Sequence, residues 1–151
     1  MAANTSPIFA HTPNISGIMF GATALTKSDG SAVTGIGTDI FKAFTAGADG
    51  SFVEKIRISP VATTAATATT ATVHRIYISS ITSGNTANTN TYLIQEIGAA
   101  SQTADHSTAA ISFFEHSLNI KLPASWTILV STHVVNAANT NWNAVVFGMD
   151  F

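Results

Sequence analysis

Residues 60–80 read PVATTAATATTATVHRIYISS, a tract of nearly pure alanine and threonine that turns into an alternating run. Alanine favours a helix, but threonine is β-branched and loses rotamer freedom against the preceding helical turn, so a helix is disfavoured. From His74 onward Ile76 and Ile78 alternate with Arg75 and Tyr77, the two-residue period of a strand whose faces meet different surroundings. SFVEKIRIS at 51–59 alternates in the same way. The tract therefore joins two strands and is expected to be a loop or extended hairpin arm within one fold, not a linker between domains. Pro60 cannot donate to a central ladder and is expected to end the first strand. The small neutral side chains of the tract also suit close contact with another surface.

Working outward, further strands are expected near 15–25 (ISGIMFGATAL), 38–44 (TDIFKAF), 90–98 (NTYLIQEIG), 109–120 (AAISFFEHSLNI), 126–135 (WTILVSTHVV) and 143–151 (NAVVFGMDF). With 51–59 and 71–81 these make eight. KSDGS, AGADGS, SGNTANT and VVNAANTN between them are rich in residues that tolerate positive φ or bond to their own backbone. The expected fold is all-β: an eight-stranded antiparallel β-sandwich, jelly-roll-like. A chain of 151 residues is one domain by length, placed at 15–151 after an N-terminal arm or edge segment at 1–14. ANTN occurs at 87–90 and again at 138–141; in an Asn/Thr-rich chain chance is the first explanation, and two matching loops at one end of the sandwich is the alternative.

Only 9% of residues are charged while 46% are hydrophobic, against roughly 25% charged in an ordinary domain. So apolar a chain implies that part of its surface is covered, most simply by copies of itself. Net charge is −2 and the six basic residues are scattered, so direct nucleic-acid binding lacks its electrostatic footprint. The absence of cysteine excludes disulfides and thiolate metal sites. The first twenty residues have no basic start, and Pro7 and Pro13 interrupt their apolar run, so neither a signal peptide nor a membrane span is expected.

Several strands look apolar on both faces. Phe113 and Phe114 are adjacent, Ile128, Leu129 and Val130 form an unbroken run, and Val145, Phe147, Met149 and Phe151 alternate with Ala144 and Val146. These strands are expected to share one sheet buried on both sides, with Phe113, Phe114, Leu129, Phe147, Met149 and Phe151 meeting sister copies. The strands carrying Ile56, Ile58, Ile76 and Ile78 are expected to form a second sheet, wet on the side of Lys55, Arg57, Arg75 and Tyr77. Burying one phenylalanine contributes about 1.5–3 kcal/mol, so a few per subunit would sustain an oligomer.

Motifs of catalysis are missing from the pattern. GIGTD at 35–39 has no following helix or third glycine and reads as a turn. His11, His74, His106, His116 and His133 show no metal-ligand spacing, and Glu54, Glu96 and Glu115 have no partner that spacing identifies. No cofactor, metal or enzymatic activity is expected. Trp126, Trp142 and Tyr92 are candidates either for packing or for stacking on a sugar.

The plan FTAGADGSFVEKIRISPV…TVHRIYIS, then NTYLIQEI, closing on LPASWTILVSTHVVNAANTNWNAVVFGMDF, resembles small jelly-roll virion proteins of tailed bacteriophages that decorate or cement the head. The likeness covers roughly residues 40 to 151. It implies a homotrimer on the capsid surface, made in the bacterial cytoplasm and bridging major capsid subunits. The alternative is a tail fibre-tip or receptor-binding module that recognises a host glycan. Independently of the likeness, the prolines of ANTSPIFAHTPNI favour extended backbone, so Pro7, Ile8, Phe9 and Pro13 are expected either to dock on the capsid as an arm or to form an edge strand.

Overall fold

The computed structural model describes residues 9–32, 34–63, 67–104 and 113–151. Among them there is no helix, and the strands are β1 (Thr12–Phe20), β2 (Phe41–Thr45), β3 (Ser51–Ala62), β4 (Thr67–Ala68), β5 (Thr72–Ser79), β6 (Thr91–Ala99), β7 (Thr103–Ala104), β8 (Phe114–Leu122), β9 (Thr127–Thr132) and β10 (Thr140–Asp150). Setting aside the two-residue β4 and β7, all eight expected strands are present.

Two antiparallel four-stranded sheets carry the fold, ordered β1-β10-β3-β8 and β2-β9-β5-β6. Counting the long strands in chain order, the sheets run first-eighth-third-sixth and second-seventh-fourth-fifth. Every connection but one, the β5–β6 hairpin, crosses from sheet to sheet, which is the double Greek key of a jelly roll. Between the sheets lie Phe20, Phe44, Val53, Ile56, Ile58, Ile76, Ile128, Val130, Trp142, Ala144 and Val146, all buried.

The strand order corrects three expectations. The double-faced strands do not share a sheet: β8 and β10 belong to the first, β9 to the second. Nor do β3 and β5 pair in a wet sheet; they lie in opposite sheets, so the 63–71 connection is a crossover and not a hairpin arm. The ANTN loops sit at opposite ends, because Ser79 at the end of β5 pairs with Thr127 while the 133–139 loop leaves β9 beside His74. Alternation reveals faces, but partners separated by fifty residues leave no periodic signal.

Pro60 is also corrected. β3 continues through it to Ala62, with Pro60 opposite Trp142 on β10. Among the described residues the pairing of β3 with β8 ends at Ile58↔Phe114, short of Pro60, and edge backbone tolerates a missing N–H. The Ala/Thr tract is tied down beyond residue 66: Thr67–Ala68 pairs with Thr103–Ala104, and buried Thr69 exchanges hydrogen bonds with Gln102 through both backbone and side chain.

Candidate functional site: an uncovered sheet face

The outer faces of the two sheets are treated differently. Over β9 and β5 runs the connection between β1 and β2, described at 21–32 and 34–40. Its Leu25 and Ile40 bury Tyr77 and Leu129, and Ala32 and Ile36 pack around them. Backbone bonds seat this strap at both ends of the sheet: Leu25 N–H donates to Thr132 O (2.9 Å) and Ile36 N–H to Gly84 O (3.0 Å). Gly35 makes the second contact possible, since its φ is 105° and a Cβ there would lie 2.7 Å from Gly84 O. Asp39 accepts from the Gly35 N–H (2.9 Å) and the Thr34 N–H (3.1 Å), holding the GIGTD turn.

Arg75 fastens the middle. Buried under the strap, its guanidinium donates to Leu25 O (3.0 Å) and Lys27 O (3.4 Å) and pairs with Glu96 Oε1 (2.7 Å). Arg75 and Tyr77 are therefore covered, not wet. Leu129 is 0% exposed beneath its own chain, so intrachain packing accounts for its apolar character without a sister copy.

The outer face of the other sheet has no such cover among the described residues. Register sets its side chains in rows: Pro13, Met149 and Phe52; Ile15, Phe147 and Lys55; Gly17, Val145, Arg57 and Glu115; Met19, Asn143 and Ser59. Ile15 is 61% exposed, Met19 57%, and Phe113, just before β8, 52%. Trp142, Ala144 and Val146 on β10 point inward, so the alternation read from that strand holds, and Phe147 and Met149 point out.

A short belt of charge crosses this apolar field. Glu115 binds Arg57 (2.8 Å) and Lys55 (3.3 Å), and the Arg57 guanidinium beside it leads in holding its carboxyl below the usual range. Arg57 lies over the Phe113 ring (4.3 Å) and Lys55 over Phe147 (5.5 Å), so the cations rest on aromatic faces. Lys121 similarly overhangs Phe151, which is half-buried just past β10 (5.9 Å). Largely apolar, with Glu115 neutralised by Arg57 and Lys55, such a surface suits adhesion to another surface.

The remaining candidates fall as follows. Phe114 turns inward against Trp142 (6.0 Å) and His74 (6.4 Å) and packs, partly buried, against the core. Pro7 and Ile8 lie outside the described residues; Phe9 is 74% exposed, and Pro13 is on the uncovered face within β1, an edge strand. Trp142 is fully buried, its indole N–H donating to Asn136 Oδ1 (3.0 Å), so it is not available to stack on a sugar. His74 is enclosed by Trp142 (4.4 Å) and Phe20 (5.3 Å), and burial pushes its pKa down to about 4.

Among the described residues no group of three or more His, Asp or Glu side chains is placed to hold a metal, and no helix is long and apolar enough to cross a membrane. Sequence reasoning missed Ile15 and Met19 as surface residues. Their strand alternates Ile15, Gly17, Met19 with Ser16, Ile18, Phe20, and nothing in that run says which set faces in. Comparison with protein-family models, with curated proteins and with solved structures returns no match.

Proposed function

We propose that this chain is a non-enzymatic structural protein of a phage virion, a homotrimeric decoration or cement protein that bridges major capsid subunits. The observation that supports the reading best is the uncovered apolar face of β1, β10, β3 and β8, set beside an opposite face that the chain seals for itself. Among the described residues the chain covers one sheet and not the other, and an exposed apolar patch of this kind marks an interaction surface. The family likeness supplies the identity of the surface it meets.

Symmetry assigns the contacts. In a ring of three, each subunit meets its neighbours through two different surfaces, whereas one flat face meeting its like makes a two-fold pair. We therefore assign the face of Ile15, Phe113, Phe147 and Met149 to the shell, in place of the sister-copy contact expected from the sequence for Phe113, Phe147 and Met149, and the ring to the flanks of the sandwich. Three such faces on one trimer engage the shell together, so modest contacts add as effective concentration rises.

The test mixes purified protein with undecorated capsids of the phage that encodes it, followed by sedimentation. Protein should travel with the particles and raise their resistance to heat, and an Ile15→Asp/Phe113→Asp variant that still folds should stay in the supernatant. Wild-type protein remaining in the supernatant, with undecorated particles as robust as decorated ones, would remove the proposal.

A further inference from the structure

Each flank of the sandwich holds a groove, of about 270 Å³ where β1 and β2 meet and about 320 Å³ where β6 and β8 face one another, and the two differ in lining. Where β1 and β2 meet, polar bonds lace the sheets together: Asn14 Nδ2 donates to Thr45 O (3.1 Å) and Ser16 Oγ to Ala43 O (2.7 Å). Where β6 and β8 face one another, the sheets gape around the larger groove. Its apolar lining includes Ile78, Ile94, Leu118, Ile120 and Trp126, and of these all but Ile94 are core-packing residues left partly open. β6 and β8 are also terminal strands of their sheets among the described residues, so each presents a backbone edge at the groove's lip.

The chain holds a segment of matching chemistry. Met1–His11 has no charged side chain and ends in Pro7, Ile8, Phe9, Ala10 and His11. β1 is still laddered at His11, whose N–H donates to Asp150 O (3.0 Å), so the arm leaves in line with the edge strand. Phe9 lies out in solvent, not in its own groove. Its reach explains this: three residues from Thr12 span at most about 11 Å, whereas three strand spacings, about 14 Å, separate β1 from β8.

We infer that the arm of one copy docks in the β6/β8 groove of a sister copy, with Ile8 and Phe9 as the apolar anchors and the exposed strand edge as backbone partner. The laced flank, where the arm starts, then faces the next subunit's gaping flank, giving the head-to-tail contact that a closed ring requires. The inference rests on the trimer reading above and names the contact that makes the trimer.

Because the chain has no cysteine, the contact can be trapped directly. Phe9→Cys combined with Ile94→Cys, and separately with Lys121→Cys, should give covalent dimers and trimers on oxidation, seen on a non-reducing gel. Each single-cysteine variant should give no species beyond a dimer. Deleting residues 2–9 should weaken self-association at least tenfold by light scattering while the circular-dichroism spectrum stays that of a β protein. A wild-type trimer without head-to-tail crosslinks, or crosslinks formed only within one chain, would overturn the arm contact and leave the trimer standing. A wild-type monomer at micromolar concentration would overturn both.

Discussion

The two sheets face outward onto different neighbours. Over Leu129 and Tyr77 the chain lays its own strap, closed by Leu25 and Ile40 and riveted by Arg75; over Phe147 and Val145 it lays nothing among the described residues. Both faces are apolar, so hydrophobicity alone does not distinguish interior from contact surface. What separates them, among the described residues, is the long connection between β1 and β2, which spans one sheet and not the other. An apolar side chain on the strapped face belongs to folding stability, whereas one on the bare face is free to serve association.

The sharpest way to break this contrast is a pair of truncations. Leu129→Ala removes a fully buried side chain and should cost about 2–5 kcal/mol in denaturant melts, enough to lower Tm by many degrees. Ile15→Ala on the bare face should change the stability of the isolated subunit by less than about 0.5 kcal/mol. Equal losses at the two sites would mean that the bare face is covered after all.

His74, between the sheets, tests whether they come apart together. Neither ring nitrogen has a hydrogen-bond partner among the described residues, and its pKa is lowered from 6.5 to about 4. Above pH 6.5 both folded and unfolded chains hold it neutral. As pH falls from 6.5 towards 4 the unfolded chain takes up the proton first, so stability is lost across that window and the loss levels off below it. The shift corresponds to about 3 kcal/mol. The carboxyls of Glu115 and Asp150, both held low, add their own loss as pH falls through their ordinary values of 4.5 and 3.8, so the His74 contribution is read from the upper part of the window. For Asp150 burial opposes the lowering, and the bonds from Ser51, Asn14 and Gly47 outweigh it. Urea melts between pH 7 and 4 should show the decline in wild type and a flatter profile in His74→Phe.

Arg75→Met probes the strap itself. It leaves the Leu25 and Lys27 carbonyls without their guanidinium, at a cost of about 1–3 kcal/mol. Hydrogen exchange should locate the damage: the Leu25 amide, bonded to Thr132 O, should lose protection while amides of the β10–β3 ladder keep theirs. Uniform loss would mean that strap and sandwich unfold as one unit.

The strands were legible because alternation is local: Ile56 and Ile58, or Ala144 and Val146, declare a buried face within five residues. Their grouping into sheets was not, since a jelly roll sends nearly every strand across to the other sheet and sets Ser51 beside Leu122 and Asp150. The unbroken run Ile128–Val130 did announce burial on both faces, but a strap and a sister copy leave the same signature in the strand they cover. Leu129 was resolved only when Leu25 was found above it. The charges tell the same story: Glu115 meets Lys55 and Arg57, and Glu96 meets Arg75, through strand register rather than sequence spacing.

The smallest expected effect on stability carries the largest consequence for the comparison. Ile15→Ser/Met19→Ser alters two side chains more than half exposed on the edge strand β1, and the melting curve of the subunit should shift by less than about 0.5 kcal/mol per site. If the bare face is a contact surface, the same double change should cut adhesion to the partner surface at least tenfold. Each apolar group removed from such a contact forfeits burial worth about 1.4 kcal/mol or more, a factor of ten. Unchanged melting with lost adhesion separates the two faces by role. Lost melting with unchanged adhesion would place the bare face with the strapped one, as part of the fold and nothing else.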